Sequence, residues 1–422
     1  MGHTGGIMNS TLRGWFSFCM IAAGAALCLP NAGAENWPGW RGPRGDGSSL
    51  EKNIPIHWGA ESNILWKVEL PGTGHASPVV WENRIFMATA NESAQERLLL
   101  CLDRDSGRTL WKQTVLAAPL EKKNSLNSFA SGTPVTDGKK VYVAFLDKGE
   151  MFVAAYDMDG KLQWSARPGP FASMHGFCTS PLLYNDLVIV NGDHDGNSYL
   201  AALSREDGHT VWKTPRENHT RSYCTALIRQ IAGRDQMILT GDKCTASYDP
   251  RDGRRYWVMD GPTEQFVASP VYNEKTGLVL ITGGYPDHHI LAIRPDGTNN
   301  VTKTHIAWRT TKGVSYVPSP ISAEDYFLVV SDRAQATCFE AAAGAILWQE
   351  SVGQEEHASL VSANGLVYFL NDNGEMTVVK PGREFNVVAR NTLPETFFAS
   401  PALSQGRLFL RGDKHLYCIG VK

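Results

Sequence analysis

A repeated glycine–tryptophan pair is the sequence feature that most limits how this chain can fold. At five places a glycine is followed four residues later by a tryptophan, each time after an apolar, strand-like segment. Five occurrences at one spacing indicate an internal repeat, and such a repeat determines the architecture of the whole chain. The five pairs are Gly107/Trp111, Gly160/Trp164, Gly208/Trp212, Gly253/Trp257 and Gly344/Trp348.

A serine or threonine precedes the first strand of each repeat, and we call it the opening residue. The spacings between successive opening residues are 56, 47, 45, 44, 50, 40 and 41 residues. A period in the forties that contains four short strands is typical of a β-propeller blade. The sequence therefore predicts an all-β, eight-bladed β-propeller of four-stranded antiparallel blades, with the opening residues Ser77, Thr133, Ser180, Thr225, Ser269, Ser319, Ser359 and Ser400.

The last repeat stops after three strands, at Lys422. An unassigned strand lies at the other end of the repeats, in residues 63–70, and it contains Trp66. We predict that this N-terminal strand completes the eighth blade beside residues 416–419, because an open ring would leave strand edges without partners. The alternative is seven blades and an unrelated N-terminal strand.

Seven of the 12 tryptophans mark outer strands of the predicted blades. The seventh blade has Val387 and Val388 at the corresponding place, so we expect it to be the most weakly docked. Trp37 and Trp40 lie in a segment before the repeats and are expected to pack onto the ring. The outer-strand tryptophans are Trp66, Trp111, Trp164, Trp212, Trp257, Trp308 and Trp348.

Residues 1–34 have the pattern of a secretory signal peptide. Arg13 precedes an apolar segment, and Ala32-Gly33-Ala34 gives a small-x-small cleavage site with Glu35 as the first mature residue. We therefore predict a signal peptide (1–34), an N-terminal arm (35–62) and a propeller (63–422), in a protein that is exported to the bacterial cell envelope, periplasmic or secreted. The alternative is an uncleaved anchor, although the apolar segment is shorter than the roughly 20 residues that span a bilayer.

Charge and cysteine content exclude several classes of protein. Lysine and arginine number 40 and aspartate and glutamate 43, which argues against a nucleic-acid binder. The eight cysteines show no zinc or haem spacing. Three of them, Cys101, Cys338 and Cys418, occupy equivalent third strands and are expected to be buried thiols. A disulfide between Cys178 and Cys224, one between Cys224 and Cys244, and no disulfide at all remain open.

The repeats resemble those of the PQQ-like, or quinoprotein-type, family. The resemblance rests on segments such as Leu99-Cys101-Leu102-Asp103 with Gly107 and Trp111, and it covers about residues 63–422. It implies an eight-bladed propeller in which each tryptophan docks against a neighbouring blade. Members include outer-membrane assembly propellers, secreted repeat proteins, and dehydrogenases that hold PQQ and calcium in the channel. The adjacent cysteine pair of many such dehydrogenases is absent here, and no calcium ligands can be assigned.

Aromatic and histidine residues precede the inner strands, and we expect them to surround the mouth of the central channel. Such a ring is a reasonable surface for binding a partner or a cofactor. The alternative is that these side chains only plug the channel. The candidate residues are His75, Phe129, His175, Phe177, Tyr223, Phe266, Tyr316, His357 and Phe398.

No complete catalytic or metal-binding motif occurs in the sequence. The segment from Asn191 to Gly196 imitates the start of a calcium loop, but Ala202 stands where the bidentate glutamate belongs, so we interpret it as a hairpin turn. We therefore expect an exported, monomeric, non-catalytic propeller that binds an envelope protein or peptide and has no membrane span after cleavage. The alternatives are a PQQ- and calcium-dependent oxidoreductase and a small-molecule binder.

Overall fold

The computed structural model describes residues 1–2 and 34–421, and all regular secondary structure in these ranges is β. The predicted signal peptide lies almost entirely outside the described residues. Within the chain from Gly33 onward, which forms one compact unit, eight antiparallel sheets follow one another along the sequence.

The first four blades comprise strands β2 to β17. In each of these blades the four strands pair with one another in chain order, and the fourth blade gains a short parallel strand, β21 (Asn299–Asn300), beside β17. The strands are β2 Val79–Trp81, β3 Arg84–Asn91, β4 Glu96–Asp103 and β5 Thr109–Ala117; β6 Val135–Thr136, β7 Lys140–Asp147, β8 Glu150–Asp157 and β9 Leu162–Pro170; β10 Leu182–Tyr184, β11 Leu187–Gly192, β12 Tyr199–Ser204 and β13 Thr210–Pro215; β14 Leu227–Ile231, β15 Arg234–Gly241, β16 Cys244–Tyr248 and β17 Arg255–Asp260.

The remaining four blades repeat this order up to the C-terminus. The eighth blade takes its outer strand, β1, from the N-terminal side of the propeller. The strands are β18 Val271–Asn273, β19 Leu278–Gly283, β20 His289–Ile293 and β22 Ile306–Thr310; β23 Ile321–Ala323, β24 Tyr326–Val330, β25 Gln335–Glu340 and β26 Ile346–Ser351; β27 Val361–Ala363, β28 Leu366–Leu370, β29 Glu375–Lys380 and β30 Asn386–Thr392; β31 Ala402–Ser404, β32 Arg407–Arg411, β33 His415–Ile419 and β1 Ile64–Glu69.

Closure of the ring by β1 confirms the prediction of eight blades. Trp66 lies opposite Cys418 in the antiparallel pair of β1 and β33, and Glu69 lies opposite His415. The seven-blade alternative is wrong, because the strand around Trp66 belongs to the last sheet and not to a separate element.

The glycine–tryptophan pair has a direct packing explanation. Each glycine receives the tryptophan of the preceding blade: a Cβ atom on Gly208 would lie 2.5 Å from Trp164 Cε3, and one on Gly107 would lie 2.7 Å from Trp66 Cε3. In two of these contacts the indole N–H also donates to a carbonyl of that neighbouring blade, from Trp66 to Arg104 at 2.9 Å and from Trp164 to Arg205 at 3.1 Å. The repeat spacing therefore encodes the contact between neighbouring blades.

The opening residues also join neighbouring blades. The Ser319 hydroxyl accepts the backbone N–H of Ser269 at 2.9 Å, and the Ser359 hydroxyl accepts that of Ser319 at 2.9 Å. Thr133 and Ser180 make the same contact between the second and third blades. A side-chain hydroxyl at this position therefore satisfies a buried amide of the preceding blade, which explains why serine and threonine recur there.

The N-terminal arm runs along the inner edges of several blades. Trp37 pairs with Val80 of β2 through two backbone hydrogen bonds, of 2.8 and 2.9 Å, and its side chain is 1% exposed. The Arg41 guanidinium is buried and donates to the carbonyls of Ser319 at 3.3 Å and Leu360 at 3.1 Å. Because one arm residue bridges two later blades, the arm is part of the ring and not a loose extension.

The arm also covers the seventh blade, which lacks an outer-strand tryptophan. Asn391 of β30 accepts the Trp58 N–H at 2.8 Å and donates to the Ile56 carbonyl at 3.1 Å. Trp58 and Ile54 are buried in the same apolar cluster as Ala389. The arm therefore supplies apolar cover to the blade for which the sequence predicted the weakest docking.

All six cysteines of the described region are free thiols. Cys101, Cys338 and Cys418 are buried and lie opposite Trp111, Trp348 and Trp66 in their blades, as the repeat predicts. Neither of the two disulfides considered from the sequence is formed.

Candidate functional site

A cavity of about 640 Å³ opens at the end of the central channel where the chain enters the inner strands. Trp40 of the arm lines it, and the Trp40 indole N–H donates to the Ser269 hydroxyl at 3.1 Å. The arm therefore contributes one side chain to the wall of this cavity, which we call the cup.

One sequence position supplies a lining residue from every blade. The residue two places before each opening residue lines the cavity, because the extended chain places alternate side chains on opposite sides. These eight residues are His75, Ser131, Cys178, Tyr223, Val267, Val317, His357 and Phe398.

The structure brings together six of the nine candidate residues. His75, Tyr223, His357 and Phe398 occupy the common position, and His175 and Tyr316 reach the cavity from other positions of their loops.

Phe129, Phe177 and Phe266 do not line the cavity, which corrects the sequence-based expectation. Phe177 and Phe266 are 3% and 0% exposed, and each packs in the core between blades because it is one residue out of step with the lining position. Phe129 packs against another blade core, with the Lys123 ammonium 5.1 Å from its ring centre.

Two histidines whose pKa values are shifted in opposite directions, His75 and His357, lie on either side of Phe398. The ring centres of His75 and His357 are 4.7 and 5.7 Å from that of Phe398. Burial, with a smaller effect of the Arg411 charge, lowers the pKa of His75 to about 3. Burial also opposes protonation of His357, but the 2.7 Å contact between its Nδ1 and Asp372 Oδ2 outweighs it and raises the pKa.

Tyrosine and arginine side chains form the opposite wall. The Tyr223 hydroxyl lies 2.8 Å from the Ser173 hydroxyl, and its ring meets His175 edge to face at 6.0 Å. Arg221 pairs with Asp195 at 2.5 Å, and the Tyr316 hydroxyl accepts a hydrogen bond from Gln265. Most polar groups of this wall are thus held by neighbours, which leaves aromatic faces toward the cavity.

Three exposed apolar side chains stand among the lining residues, and sequence reasoning missed them. Leu126, Met174 and Tyr285 are 58%, 63% and 58% exposed. We call these three residues the apolar rim. Leu126 lies in the segment between β5 and β6, which makes the first spacing of opening residues the longest, at 56. The extra length of this segment is the sequence feature from which Leu126 could have been predicted as a rim residue.

The residues present do not fit a bound calcium–PQQ pair. Calcium takes six to eight oxygen ligands, often with several carboxylates, whereas Asp332 is the one carboxylate among the described lining residues. Among the described residues, no three acidic, histidine or cysteine side chains lie together in a way that suits a metal ion. Asp193 of the loop that imitates a calcium site is buried and paired with Arg216 at 2.8 Å.

The fold and the cavity define an eight-bladed β-propeller with an aromatic cup lined by residues from all eight blades. The chain belongs to the family of PQQ-like repeat β-propellers. The matching family model is described as outer membrane protein assembly factor BamB and covers residues 95–349 and 286–382. No curated protein matches the chain.

Solved structures share this fold at low sequence identity. BamB from Moraxella catarrhalis is 14% identical with a TM-score of 0.61, over 85% of this chain and 97% of that one. The quinohemoprotein alcohol dehydrogenase ADHIIG from Pseudomonas putida HK5 is 13% identical with a TM-score of 0.54, over 92% and 80%. That of Comamonas testosteroni is 12% identical with a TM-score of 0.51, over 93% and 82%. A search of the described residues for a helix able to cross a membrane found none.

Proposed function

We propose that the chain is an exported, non-catalytic propeller that binds a protein or peptide partner at the face where the aromatic cup opens. The observation that carries this proposal is the apolar rim of Leu126, Met174 and Tyr285 around a cavity lined by aromatic and histidine side chains. Large exposed apolar side chains grouped around one cavity favour contact with another molecule.

The chemistry of the cup favours apolar and aromatic side chains of the partner. Phe398, Tyr223 and Tyr316 offer ring faces or edges, and such contacts contribute beyond the burial of area alone. His357, which is hydrogen-bonded to Asp372, provides a polar group at one edge of the cup. A cavity of about 640 Å³ has room for one or two side chains of a bound loop.

Export of the protein to the cell envelope is part of the proposal. It rests on the signal-like pattern of residues 1–34 and on the description of the matching family as an outer membrane protein assembly factor. These two observations support a partner in the envelope, and we expect that partner to bind at the apolar rim.

PQQ bound in the cup is the second candidate. The aromatic lining favours a planar ligand, and the fold is shared with quinohemoprotein dehydrogenases. The single lining carboxylate, Asp332, argues against the calcium ion that such a cofactor would bring.

Site-specific photocrosslinking in the envelope of the native host tests the first candidate. A photoreactive amino acid is placed at position 126 or 174, and at position 162 as a control. Leu162 is 50% exposed, but it is the first residue of the nine-residue outer strand β9, at the end away from the loop that carries Met174, and it does not line the cavity. We expect the same protein to be crosslinked from positions 126 and 174 and not from 162.

Binding of that purified partner then gives the quantitative test. Leu126→Asp and Met174→Asp should each weaken its affinity at least tenfold, whereas Leu162→Asp should leave the affinity unchanged. Equal effects of all three variants, or crosslinking from position 162 alone, would refute the proposal. Saturable absorbance changes on titration with PQQ and calcium chloride, abolished by His357→Ala, would favour the second candidate instead.

A further inference from the structure

A buried carboxylate of the arm has no cationic side chain beside it. Glu51 is 2% exposed, and among the described residues no lysine, arginine or histidine lies within 4.0 Å of it. Its oxygens accept the backbone N–H groups of Gln405 and Gly406, in the turn between β31 and β32, and that of Glu35 at 2.8 Å. A buried carboxylate is costly unless it is paired with a positive charge or well supplied with hydrogen bonds.

The backbone N–H, the carboxylate and the carbonyl of Glu35 all form hydrogen bonds within the protein. Its carboxylate forms two hydrogen bonds with the Arg44 guanidinium, at 2.7 and 2.8 Å, and accepts the Leu50 N–H at 2.8 Å. Its carbonyl accepts the Ser404 hydroxyl at 2.6 Å. Ala34, one residue earlier, is exposed. The fixed part of the chain thus begins at Glu35.

We propose that the α-ammonium group released on Glu35 by cleavage of the Ala34–Glu35 bond is the counter-ion of Glu51; the cleavage itself rests on the export proposed above. Hydrolysis by a signal peptidase breaks the C–N bond. Water supplies a hydroxyl to the Ala34 carbonyl carbon and a proton to the Glu35 nitrogen, and the proton of the new Ala34 carboxylic acid then passes to the amine, which leaves a carboxylate on Ala34 and an α-ammonium group on Glu35. That nitrogen already lies 2.8 Å from Glu51 Oε1, so the new charge appears beside the buried carboxylate without movement of the arm.

Neighbouring start positions do not give this arrangement. A chain that begins before Glu35 keeps a neutral amide next to Glu51. A chain that begins at Asn36 loses the Arg44, Leu50 and Ser404 contacts of Glu35 altogether. The small residues Ala32 and Ala34 point to the same bond from the sequence, independently of the contacts.

The ion pair lies where the ring closes. Gln405 and Gly406 belong to the eighth blade, and Asn36, the next residue of the arm, accepts the N–H of Glu82 in the first blade at 2.7 Å. The new N-terminus therefore fastens the arm across the junction between the last and the first blade. Processing and stability of the ring are thereby coupled.

The first experiment is export of the full chain in a bacterial host, followed by intact-mass measurement and N-terminal sequencing of the product. We expect a mature protein that begins at Glu35. A retained N-terminus, or a start at any other residue, would overturn the proposal.

The second experiment is a double-mutant cycle on the compact unit. Proteins that begin at Glu35 or at a Met-Ala34 extension are each made with Glu51 or with Glu51→Gln, and their unfolding in urea is compared. The Glu35 start should lower the unfolding equilibrium constant about tenfold when Glu51 is present and have no effect with Glu51→Gln. Glu61→Gln, at an exposed acid of the same arm, is the control that should preserve the tenfold effect. An equal effect of the start residue with and without Glu51 would disprove the ion pair.

Discussion

Replacement of Gly208 by alanine tests how the blades dock. Gly208 has a φ of +79°, and its missing side chain leaves room for the indole of Trp164 from the preceding blade. An added Cβ would lie 2.5 Å from Trp164 Cε3 and 2.8 Å from Cδ2. Trp164 is 7% exposed and cannot move aside without losing its hydrogen bond to the Arg205 carbonyl.

The cost of this change has two parts. An alanine in the left-handed region costs roughly 1–2 kcal/mol, and displacement of a well-packed ring typically adds about 1–3 kcal/mol. The substitution Gly233→Ala measures the backbone cost alone, because Gly233 has a φ of +75° and no atom lies within 4 Å of the position where a Cβ would be added. We therefore expect Gly208→Ala to destabilise the protein by about 1–3 kcal/mol more than Gly233→Ala.

Urea unfolding followed by far-UV circular dichroism measures both variants against the parent protein. In a Trp164→Leu background the extra cost of Gly208→Ala should disappear, since the clashing ring is gone. Equal destabilisation by Gly208→Ala and Gly233→Ala, or an undiminished cost without the indole, would refute this account of the glycine–tryptophan repeat.

Three further predictions concern hydrogen bonds and charges. Ser319→Ala should cost about 1–3 kcal/mol of unfolding free energy, because it leaves a buried amide without an acceptor. Arg41→Met should speed proteolysis of the arm and lower the melting temperature, because buried carbonyls of two blades lose their donor. In NMR titrations His357 should have a pKa above the ordinary 6.5, and Asp372→Asn should lower the pKa of His357. His75, with a pKa of about 3, should stay neutral from pH 5 to 8. Because the pKa of His357 is raised on folding, its stabilising effect is complete below pH 6.5 and is lost as the pH rises through the raised value.

Each of these three predictions has a matched comparison. Ser319→Thr should be tolerated, since threonine occurs at two other opening positions, and equal stability of the alanine and threonine variants would count against the hydroxyl contact. Arg254→Met, at a side chain that is 69% exposed, should leave proteolysis unchanged. A His357 pKa that does not respond to Asp372→Asn would mean that the 2.7 Å contact does not govern its protonation.

The blade order could be predicted from sequence because the repeat encodes contacts between neighbours. Gly208 receives Trp164, and Ser319 accepts an amide of Ser269, so each spacing reports a real interface. The route of the arm could not be predicted in this way. Trp37 and Arg41 contact blades that are far apart in the sequence, and no periodicity marks such contacts.

The cup was predicted in part, for a similar reason. The prediction selected aromatic residues close to the opening residues, and it therefore included Phe177 and Phe266, which are buried. The residues that lie two positions before the opening residues in these blades are Cys178 and Val267, and these line the cavity. The alternation of side chains along extended chain, not aromatic character, decides which residue lines the cavity. The rim residues lie in loops of irregular length, where register carries no information.

Closure by β1 also has a consequence for synthesis. Ile64 and Ile419 are partners in one sheet, so the first strand emerges from the ribosome about 350 residues before its only neighbour in the blade. At roughly 5–20 residues per second this interval is about 20–70 s. During that time β1 has no strand to pair with. In a chain that stops before β33, β1 never finds its partner strand. The ring of blades can therefore close only after β33 has been synthesised.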